Sequence, residues 1–546
     1  MPSLNSSFLC QLASAAVMAQ PVSASGDPTA TTWGTVQYLL PELLLIIACA
    51  AIYVGGAFLR NRPLWNLVAL LALAIAGGII IWQSGQEVPF SAGPLAIDTF
   101  AWLGRWLAIG FGALLIVAAW NEGNPGLGSE YAGSLLATVV GGMLAAQARD
   151  LVLLFVGLEL VSIPTYVVLF LGRRSAENQE ATAKYFFLSI MSSAVLLYGM
   201  SFVYGITGTT LLPSDHVAWR NLLEVGGAGA HGLQSFAPFA VVLLLAGLGF
   251  KVAIVPFHFY APDVYQGTSS TNAAVLAVVP KLAGMVALVR VGSTLFTPDA
   301  VSIWQIVIVL AIATMTVGNV SALWQSHVRR LLAFSSVAHG GYLLIGLAVA
   351  LAPSEGSEAG IAALLFYLVV YGLAALGAFG IVSSLRGPGG KEIESVEELA
   401  GLGRSSPIAA ALLAVFLFSL AGIPPLGGFW GKLGIFASAV RIATGSSSES
   451  WWFITLALLG VVNAAIAAAY YLRVIAVMYF QGSEEREGAN VADYGGLTSG
   501  IACGLLVITL GVAPGLMALP ASEAGKSVTK TAATPMGSQA AAVSSR

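Results

Sequence analysis

The chain has 546 residues, of which 57% are hydrophobic and only 9% are charged, with a formal net charge of -3 at pH 7. Soluble domains carry roughly 25% charged residues, so this composition excludes a water-soluble globular protein and predicts a polytopic membrane protein. The few Lys and Arg residues are spread among short segments and form no basic patch, which predicts no nucleic-acid partner. The lipid bilayer is the first partner that the sequence indicates.

The sequence contains none of the common cofactor or metal motifs. Its three cysteines form no CxxC pair, and the chain has no GxGxxG after a strand, no Walker loop and no HExxH. We therefore expect this chain to bind no iron–sulfur cluster, flavin, nucleotide or zinc ion. Its function is expected to depend on side chains inside the bilayer.

Apolar runs of about 20 residues, the length that crosses about 30 Å of hydrocarbon, recur along the chain. They predict an all-α fold with about fourteen transmembrane helices. The predicted spans are 36–58, 63–83, 98–120, 129–147, 150–171, 182–206, 236–258, 268–291, 301–324, 329–351, 359–384, 407–440, 452–480 and 497–519.

The two ends of the chain lack such runs. Residues 1–35 have small residues before two Ala positions but no basic segment in front of them, so a cleaved signal segment and a tail both stay open. Residues 521–546 are rich in small residues and are expected to form a disordered tail.

Basic residues occur in alternate loops, which gives one consistent orientation. By the positive-inside rule these loops are cytoplasmic, so both termini are expected on the outer side. The residues concerned are Arg60, Arg62, Arg173, Arg174, Arg329, Arg330, Arg386, Lys391 and Arg404.

Four ionisable residues lie near the middle of predicted spans, namely Glu159, Lys251, Lys281 and Lys432. A charged residue at that depth costs about 2.5–3.5 kcal/mol on insertion scales, so it usually faces a polar interior. The four together predict an internal polar route. The alternative is that each one closes a structural salt bridge or extends to a helix end. We prefer that alternative for Lys184, Arg290 and Arg473, which lie nearer the ends of their spans.

Two of the spans carry helix-breaking residues beside a lysine. Pro256 follows Lys251 by five residues, and GIPPLGG at Gly422–Gly428 interrupts the span that contains Lys432. Broken helices at membrane depth are tolerated inside protein or beside water, and they mark ion sites in transporters.

The two breaks also occupy corresponding places in the chain. Each one belongs to the fourth span of a set of five, so spans four to eight (129–291) and nine to thirteen (301–480) are predicted to be inverted repeats. Helices one to three (36–120) precede the repeats, and a last helix (497–519) follows them.

Three stretches carry a family resemblance: GLELVSIPTYVVLFLGR (157–173), LGFKVAIVPFHFYAPDVYQG (248–267) and SLAGIPPLGGFWGKL (419–433). They resemble the N subunits of NADH-quinone oxidoreductase, respiratory complex I, and the resemblance extends over about 36–520. It implies an antiporter-like fold of fourteen helices, two five-helix inverted repeats and broken helices seven and twelve. It also implies a multi-pass protein of a bacterial-type plasma membrane, with other membrane-arm subunits, antiporter-like ones included, as partners.

The resemblance further implies a role in the proton pumping of that translocase, driven by quinone reduction elsewhere. NADH, FMN, iron–sulfur clusters and quinone would then lie in partner subunits. Residue by residue, Glu159 matches the family's helix-five glutamate and Lys251 the helix-seven lysine that pairs with it. Lys281 matches the central helix-eight lysine, and Lys432 the helix-twelve lysine near the outward channel.

Three further residues are candidates for the same route. Lys184 stands where the family has a helix-six lysine, and His258 matches the histidine of the PFH motif. His339, in SSVAHGGYLL, is our own inference as a bridge from Lys281 towards Lys432, and a core histidine with satisfied hydrogen bonds is the alternative.

The chain departs from the family directly after PDVYQG. Many relatives continue with a proline-containing APxPVT run, whereas this chain has TSSTNAAVLAVVPKLAG. The polar residues either supply hydrogen-bond partners at the start of span eight or cap that helix. They are Ser269, Ser270, Thr271 and Asn272.

The sequence thus predicts a proton relay from Lys251 through Lys281 to Lys432, gated by Glu159, with water between the side chains. Two other interpretations stay open. One is an Mrp-type or stand-alone cation/proton antiporter, although PDVYQG and GLELVSIPTY favour subunit N. The other is a structural spacer without a transport role.

Overall fold

The structure is a computed structural model that describes residues 33–84, 94–123, 125–212, 236–295, 303–352, 356–387, 390–444, 450–482 and 489–533. It is almost entirely helical. The prediction of a signal segment or tail over 1–35 lies outside these residues, except that a short helix, Trp33–Tyr38, begins within it.

We number the helices so that the two halves of a broken helix share a number. The helices before the first break are α1 (Leu40–Phe58), α2 (Arg62–Ser84), α3 (Thr99–Ala118), α4 (Gly128–Ala146), α5 (Leu151–Leu171) and α6 (Ala176–Thr207). The first broken helix consists of α7a (Ala237–Val252) and α7b (Ala261–Gly267). Next come α8 (Ser270–Leu295), α9 (Ile303–Leu323), α10 (Val328–Ala350) and α11 (Ser357–Ser384).

The second broken helix consists of α12a (Pro407–Ala421) and α12b (Gly427–Ala443). It is followed by α13 (Ser450–Phe480), α14 (Tyr494–Val512) and α15 (Gly515–Ala533). A short helix, Leu402–Ser405, precedes α12a. Two strands of two residues, β1 (Leu385–Arg386) and β2 (Asn490–Val491), pair antiparallel.

Among the described residues, eleven helices are long and apolar enough to cross a membrane, and α7a and α12a are shorter apolar helices. This confirms the multi-span helical membrane protein that the composition predicts. Each predicted span overlaps at least one of the helices above. The number of fourteen spans and the inverted repeats stay predictions.

Side-chain caps explain why several helices begin where they do. Asp98 accepts from the backbone N–H of Ala101 at the start of α3, and Asp150 accepts from two backbone N–H groups at the start of α5. Ser175 caps α6 in the same way. Each cap satisfies donors that a helix N-terminus otherwise leaves free.

Both breaks use the same C-terminal turn. At the end of α7a, the Ile254 N–H donates to the Gly249 carbonyl, and Ala253 is left-handed with φ 62°. At the end of α12a, the Ile423 N–H donates to the Phe418 carbonyl, and a glycine is left-handed there. This is the Schellman pattern, which closes a helix with a left-handed residue. Proline within four residues of each left-handed residue prevents the helix from continuing.

The two halves of the chain meet at three central helices. Helices α8, α10 and α11 are buried along nearly their whole length, whereas only 28% of α1 and 33% of α13 is buried inside the chain. The candidate residues Lys281 and His339 lie on α8 and α10. Ionisable side chains, which are rare in this chain, therefore lie at the centre of the molecule.

The helix ends form two opposite sides of the molecule. One side, called the basic side below, carries Arg62, Arg173 and Arg329 together with the segment 390–401 that joins α11 to α12a. Arg173 and Arg329 both pair with Glu392 of that segment. The opposite side carries the starts of α3 and α11 and the C-terminal helix α15.

The prediction of a disordered tail over 521–546 is wrong for its first part, because α15 continues to Ala533. Ala521, Ala524 and Val528 are buried on one face of this helix. Gly525 has no side chain, which lets α15 approach the Glu358 carbonyl on α11. Small residues in the sequence indicate disorder, but in this helix they allow close packing against α11. Residues 534–546 lie outside the described part.

Candidate functional site

The first part of the site is an ion pair between α5 and the end of α7a. The Lys251 ammonium lies 3.3 Å from Glu159 Oε1 and 2.6 Å from Ser162 Oγ. Ser193 on α6 lies 3.2 Å from the same ammonium and also donates to Glu159, and Ser189 lies 3.4 Å away. The pair predicted from the sequence therefore exists, and three serines complete its surroundings.

The break in helix seven explains why a lysine is stable at this place. Lys251 is 3% exposed and lies in the last turn of α7a. The last carbonyls of a helix carry partial negative charge, which favours a cation in the last turn. A continuous helix would offer the ammonium no such field.

Lys281 occupies the centre of the molecule on α8 and is 2% exposed. Its ammonium donates to the Ser336 carbonyl, lies 2.7 Å from Ser336 Oγ and 3.4 Å from the Tyr371 hydroxyl. It also lies 4.9 Å from the centroid of the Tyr371 ring. Within the described residues, Lys281 has no carboxylate partner, in contrast to Lys251.

Two glycines bring the first lysine close to the second. Gly284, one turn after Lys281, faces the Cβ of Lys251, where an added methyl would lie 3.1 Å away. A methyl group added to Gly340 on α10 would lie 3.4 Å from the Val252 carbonyl oxygen and 3.9 Å from the Lys281 ammonium. Helices α7a, α8 and α10 thus pack closely against one another beside the Lys281 ammonium.

His339 lies in a group of tyrosines between Lys281 and Lys432. Its Nδ1 is 2.6 Å from the Tyr367 hydroxyl and its Nε2 is 3.0 Å from the Tyr471 hydroxyl. Its ring lies 5.0 Å from the ring of Tyr371, which contacts Lys281, and 5.7 Å from the ring of Tyr342. Both ring nitrogens therefore have partners, so the alternative of a satisfied core histidine agrees with the geometry as well as a bridge does.

Lys432 lies on α12b, beyond the second break, and is 5% exposed. Its ammonium donates at 2.9 Å to the carbonyl of Ala421, the last residue of α12a. The same ammonium lies 4.9 Å from the centroid of the Tyr342 ring. Gly422 is left-handed with φ 89°, and a methyl there would lie 2.8 Å from the Lys432 side chain. Only glycine fits both requirements.

Glu159, Lys251, Lys281, His339 and Lys432 are called the buried file below. Two of the predicted residues lie apart from it. Lys184 is on the outside of α6, with a side chain 43% exposed, and pairs with Glu180 at 2.7 Å and Asp263 at 3.4 Å. His258 lies half-buried in the break between α7a and α7b. Of the described residues, none forms a hydrogen bond with its buried Nδ1. The structure thus brings together Glu159 and the other three lysines with His339, and their roles stay predictions.

Two further basic residues have structural partners, as the sequence interpretation expects. Arg290 forms two bonds with the Asp98 carboxylate and donates to the Ala146 carbonyl. Arg473 donates to the carbonyls of Leu323 and Gln325. Neither touches the file of lysines.

Charged groups on the basic side hold the segment 390–401 against the helix ends. The Val328 N–H donates to the Glu394 carbonyl at 2.8 Å, and His327 lies opposite Ser395. Burial and then the Arg329 charge lower the pKa of His327 to about 4. Burial raises the pKa of the Glu394 carboxyl, but Arg329 and Arg173 outweigh it, so this pKa is lowered.

Comparisons with known proteins agree with this architecture. Residues 148–466 match the family model described as NADH:quinone oxidoreductase/Mrp antiporter, TM. The NADH-quinone oxidoreductase subunit N of Sphingopyxis alaskensis is 38% identical over 473 residues, which cover 86% of this chain and 94% of that protein.

Two solved structures have the same fold. A chain of respiratory complex I from Thermus thermophilus with bound aureothin has a TM-score of 0.71 at 31% identity, covering 89% of this chain and 100% of that one. A chain of the Mrp complex from Dietzia has a TM-score of 0.74 at 20% identity, covering 91% and 98%, which shows the fold alone.

The fold, its two broken helices and the buried lysines define an antiporter-like membrane subunit. Within that class, the identity to the curated relatives decides the family. The chain belongs to the NADH-quinone oxidoreductase subunit N family.

Proposed function

We propose that this chain translocates protons across the membrane as a subunit of NADH:quinone oxidoreductase. One observation carries the proposal: three lysine ammonium groups with almost no exposure lie in one buried polar file, and two of them adjoin broken helices. Buried amines are costly in a bilayer, and they are retained where their charge has a function.

The Glu159–Lys251 pair acts as the gate of the file. With the carboxylate 3.3 Å away, Lys251 is stabilised in its charged form. When the two groups move apart, the buried ammonium loses that stabilisation and becomes a proton donor towards Lys281. The serines that contact Lys251 keep hydrogen bonds to it in either protonation state.

Lys281 is the acceptor in the middle of the file. Its partners are a carbonyl and two hydroxyl groups, and these can bond a charged or a neutral amine. The proton then passes by bound water and His339 to Lys432. Tyr371 contacts His339, and Tyr342 contacts Lys432, through their aromatic rings and not through hydrogen bonds. Because a proton moves along hydrogen bonds, water is required to complete the path.

The driving force comes from outside this chain. NADH, FMN, iron–sulfur clusters and quinone belong to partner subunits, and this chain contacts the other membrane-arm subunits, antiporter-like ones included. The basic side faces the cytoplasm and the opposite side faces outward, as the distribution of Arg and Lys indicates.

The test compares two lysine substitutions in the purified complex, reconstituted into vesicles. Lys281→Met removes the central amine, and Lys184→Met removes an exposed amine from α6, so both variants lose one charge. We expect Lys281→Met to lose proton uptake by at least about tenfold, while Lys184→Met retains it. Assembly is checked by the quinone reductase rate with an uncoupler. Equal proton uptake by the two variants would refute the relay.

A second candidate is cation/proton exchange, because the matching family model also covers Mrp antiporters. Proton uptake by the same vesicles is measured with and without a sodium ionophore. A proton pump keeps its uptake when the sodium gradient is removed, whereas an exchanger loses it.

A further inference from the structure

A run of five polar residues, Thr268–Asn272, lies buried where α7b ends and α8 begins. Every one of them is at most 2% exposed. The run lies on the basic side of the molecule, because Asn272 contacts the last turn of α5 and Gly267 packs against the start of α6. Five consecutive polar residues without exposure are unusual in a chain with so little polar surface.

Two of the five have complete structural roles. Ser269 Oγ accepts from the Asn272 N–H at 3.3 Å, which caps α8. Asn272 Oδ1 accepts from the Tyr131 hydroxyl at 2.5 Å, and its Nδ2 donates to the Val168 carbonyl at 3.1 Å. The sequence alternatives of capping and hydrogen bonding are therefore both realised, but by these two residues alone.

The other three hydroxyl groups are different. Among the described residues, the hydroxyls of Thr268, Ser270 and Thr271 have no hydrogen-bond partner. The same is true of Asn178 Oδ1, whose amide nitrogen donates to the Leu169 carbonyl at 2.9 Å. Asn178 and Asn272 thus bind consecutive carbonyls at the end of α5, so the four unpartnered polar atoms belong to Asn178 itself and to the chain neighbours of Asn272.

Buried polar groups without partners are costly, and proteins satisfy them with internal water that makes about three hydrogen bonds. We propose that Thr268, Ser270, Thr271 and Asn178 form a binding site for a small cluster of water molecules, which supplies protons from the basic side to Lys281. This inference rests on the proposed function, and it names residues that the relay itself does not include.

The helix geometry connects this site to the relay. Ser270 precedes Lys281 by eleven residues, which is about three helical turns, so the two side chains share one face of α8. Ala274 and Ala277 lie between them on that face. The Tyr371 hydroxyl, which contacts Lys281, also donates to the Ala277 carbonyl at 3.2 Å. The hydrogen-bonded surroundings of Lys281 therefore already extend one turn towards Ser270.

The competing explanation is that the three hydroxyls only fill space. The two explanations differ for substitutions that keep the shape and remove the hydroxyl. If the hydroxyls only fill space, Thr→Val and Ser→Ala have no effect on transport, because no hydrogen bond is lost. If they hold water, the same changes remove its partners.

The experiment uses the triple variant T268V/S270A/T271V in the reconstituted complex. The matched control is S383A/S384A on α11, whose buried hydroxyls donate to helix carbonyls at 2.8 Å and 2.7 Å. We expect the triple variant to lower the proton translocation rate by about fivefold or more, with uncoupled quinone reduction unchanged. The control pumps like the wild type.

A second measurement does not depend on transport. A high-resolution density map of the wild-type complex is expected to show ordered water within hydrogen-bonding distance of Ser270 Oγ, and a map of the triple variant is expected to lack it. A dry site in the wild-type map overturns the inference.

The outcomes also separate this inference from the proposed function. Normal pumping by the triple variant, with pumping lost in Lys281→Met, overturns the water site and leaves the relay intact. Normal pumping by Lys281→Met overturns the relay and the supply to it together.

Discussion

The ammonium of Lys432 lies 2.9 Å from the carbonyl oxygen of Ala421. A side chain of α12b thus donates a hydrogen bond to the last carbonyl of α12a. Breaking a helix frees carbonyls that need donors. The lysine that the relay needs is therefore also a cap, and the two roles can be separated by the choice of substitution.

Lys432→Arg keeps the positive charge and the donors, but a guanidinium does not release its proton in proteins. We expect this variant to assemble normally and to lose proton translocation by at least about tenfold. Lys432→Met should lose translocation and also stability, because it leaves the Ala421 carbonyl without a donor at a cost of about 1–3 kcal/mol.

Thermal unfolding and proton uptake are measured for both variants. Translocation by Lys432→Arg at the wild-type rate would show that Lys432 serves only as a cap.

Glu159→Gln tests the gate. The amide retains an acceptor for Ser193 and Lys251 but removes the charge, which leaves the buried ammonium without its counter-ion. We expect proton translocation to fall by about tenfold or more. Stability should fall by no more than about 3–5 kcal/mol, the cost of breaking a fully buried pair, because the Glu159 side chain is 20% exposed.

Glu180→Gln is the matched control for this change. Glu180 pairs with Lys184 at 2.7 Å, but both side chains are largely exposed, so the expected loss of stability is about 0–1 kcal/mol with translocation unchanged. If the two variants translocate protons equally, Glu159 is no gate.

The sequence predicted those parts of the site that local rules control. Lys251, Lys281 and Lys432 stand out because a charge inside an apolar run is conspicuous, and the breaks stand out because proline interrupts a helix. The pairing of Glu159 with Lys251 followed from a family resemblance, and the structure places them 3.3 Å apart.

The sequence did not reveal the tyrosines between Lys281 and Lys432. Tyr342, Tyr371 and Tyr471 lie on three helices, and nothing in the local sequence distinguishes them from tyrosines that pack in a core. The serines around Lys251 had a weak signal, because Ser189 and Ser193 are four residues apart on one helical face. Contacts between distant segments depend on tertiary packing, which hydropathy does not encode.

Two aspartates test how burial decides the strength of an ion pair. Asp98 and its partner Arg290 are 9% and 8% exposed, whereas Asp263 is 43% exposed and contacts Arg330 at 2.7 Å. Asp98→Asn removes the counter-charge of a buried guanidinium and should cost about 3–5 kcal/mol, while Asp263→Asn should cost about 0–1 kcal/mol. Asparagine caps a helix as well as aspartate does, so the cap on α3 is retained.

The midpoint of thermal unfolding of the purified complex is compared for the two aspartate variants. Equal midpoints would mean that the Asp98–Arg290 pair is hydrated in the membrane and contributes no more than a surface pair.

His327 gives the basic side a pH dependence. Its pKa is about 4 in the folded protein, against an ordinary value of 6.5, because burial and then Arg329 disfavour its charged form. Between pH 6.5 and 4, the open state of the segment 390–401 binds more protons than the docked state, so docking weakens as the pH falls through this window. The lowered pKa of Glu394 affects docking only below its ordinary value of 4.5.

Hydrogen exchange of the Val328 and Val396 amides reports this docking, because both donate to carbonyls across the junction at 2.8 Å. After correction for the intrinsic rate, we expect their protection to decrease as the pH is lowered from 6.5 towards 4.5. His327→Gln stays neutral and should remove this decrease while retaining protection at pH 7. A decrease of the same size in His327→Gln would assign the pH dependence to other groups, because the glutamine cannot take up a proton in this range.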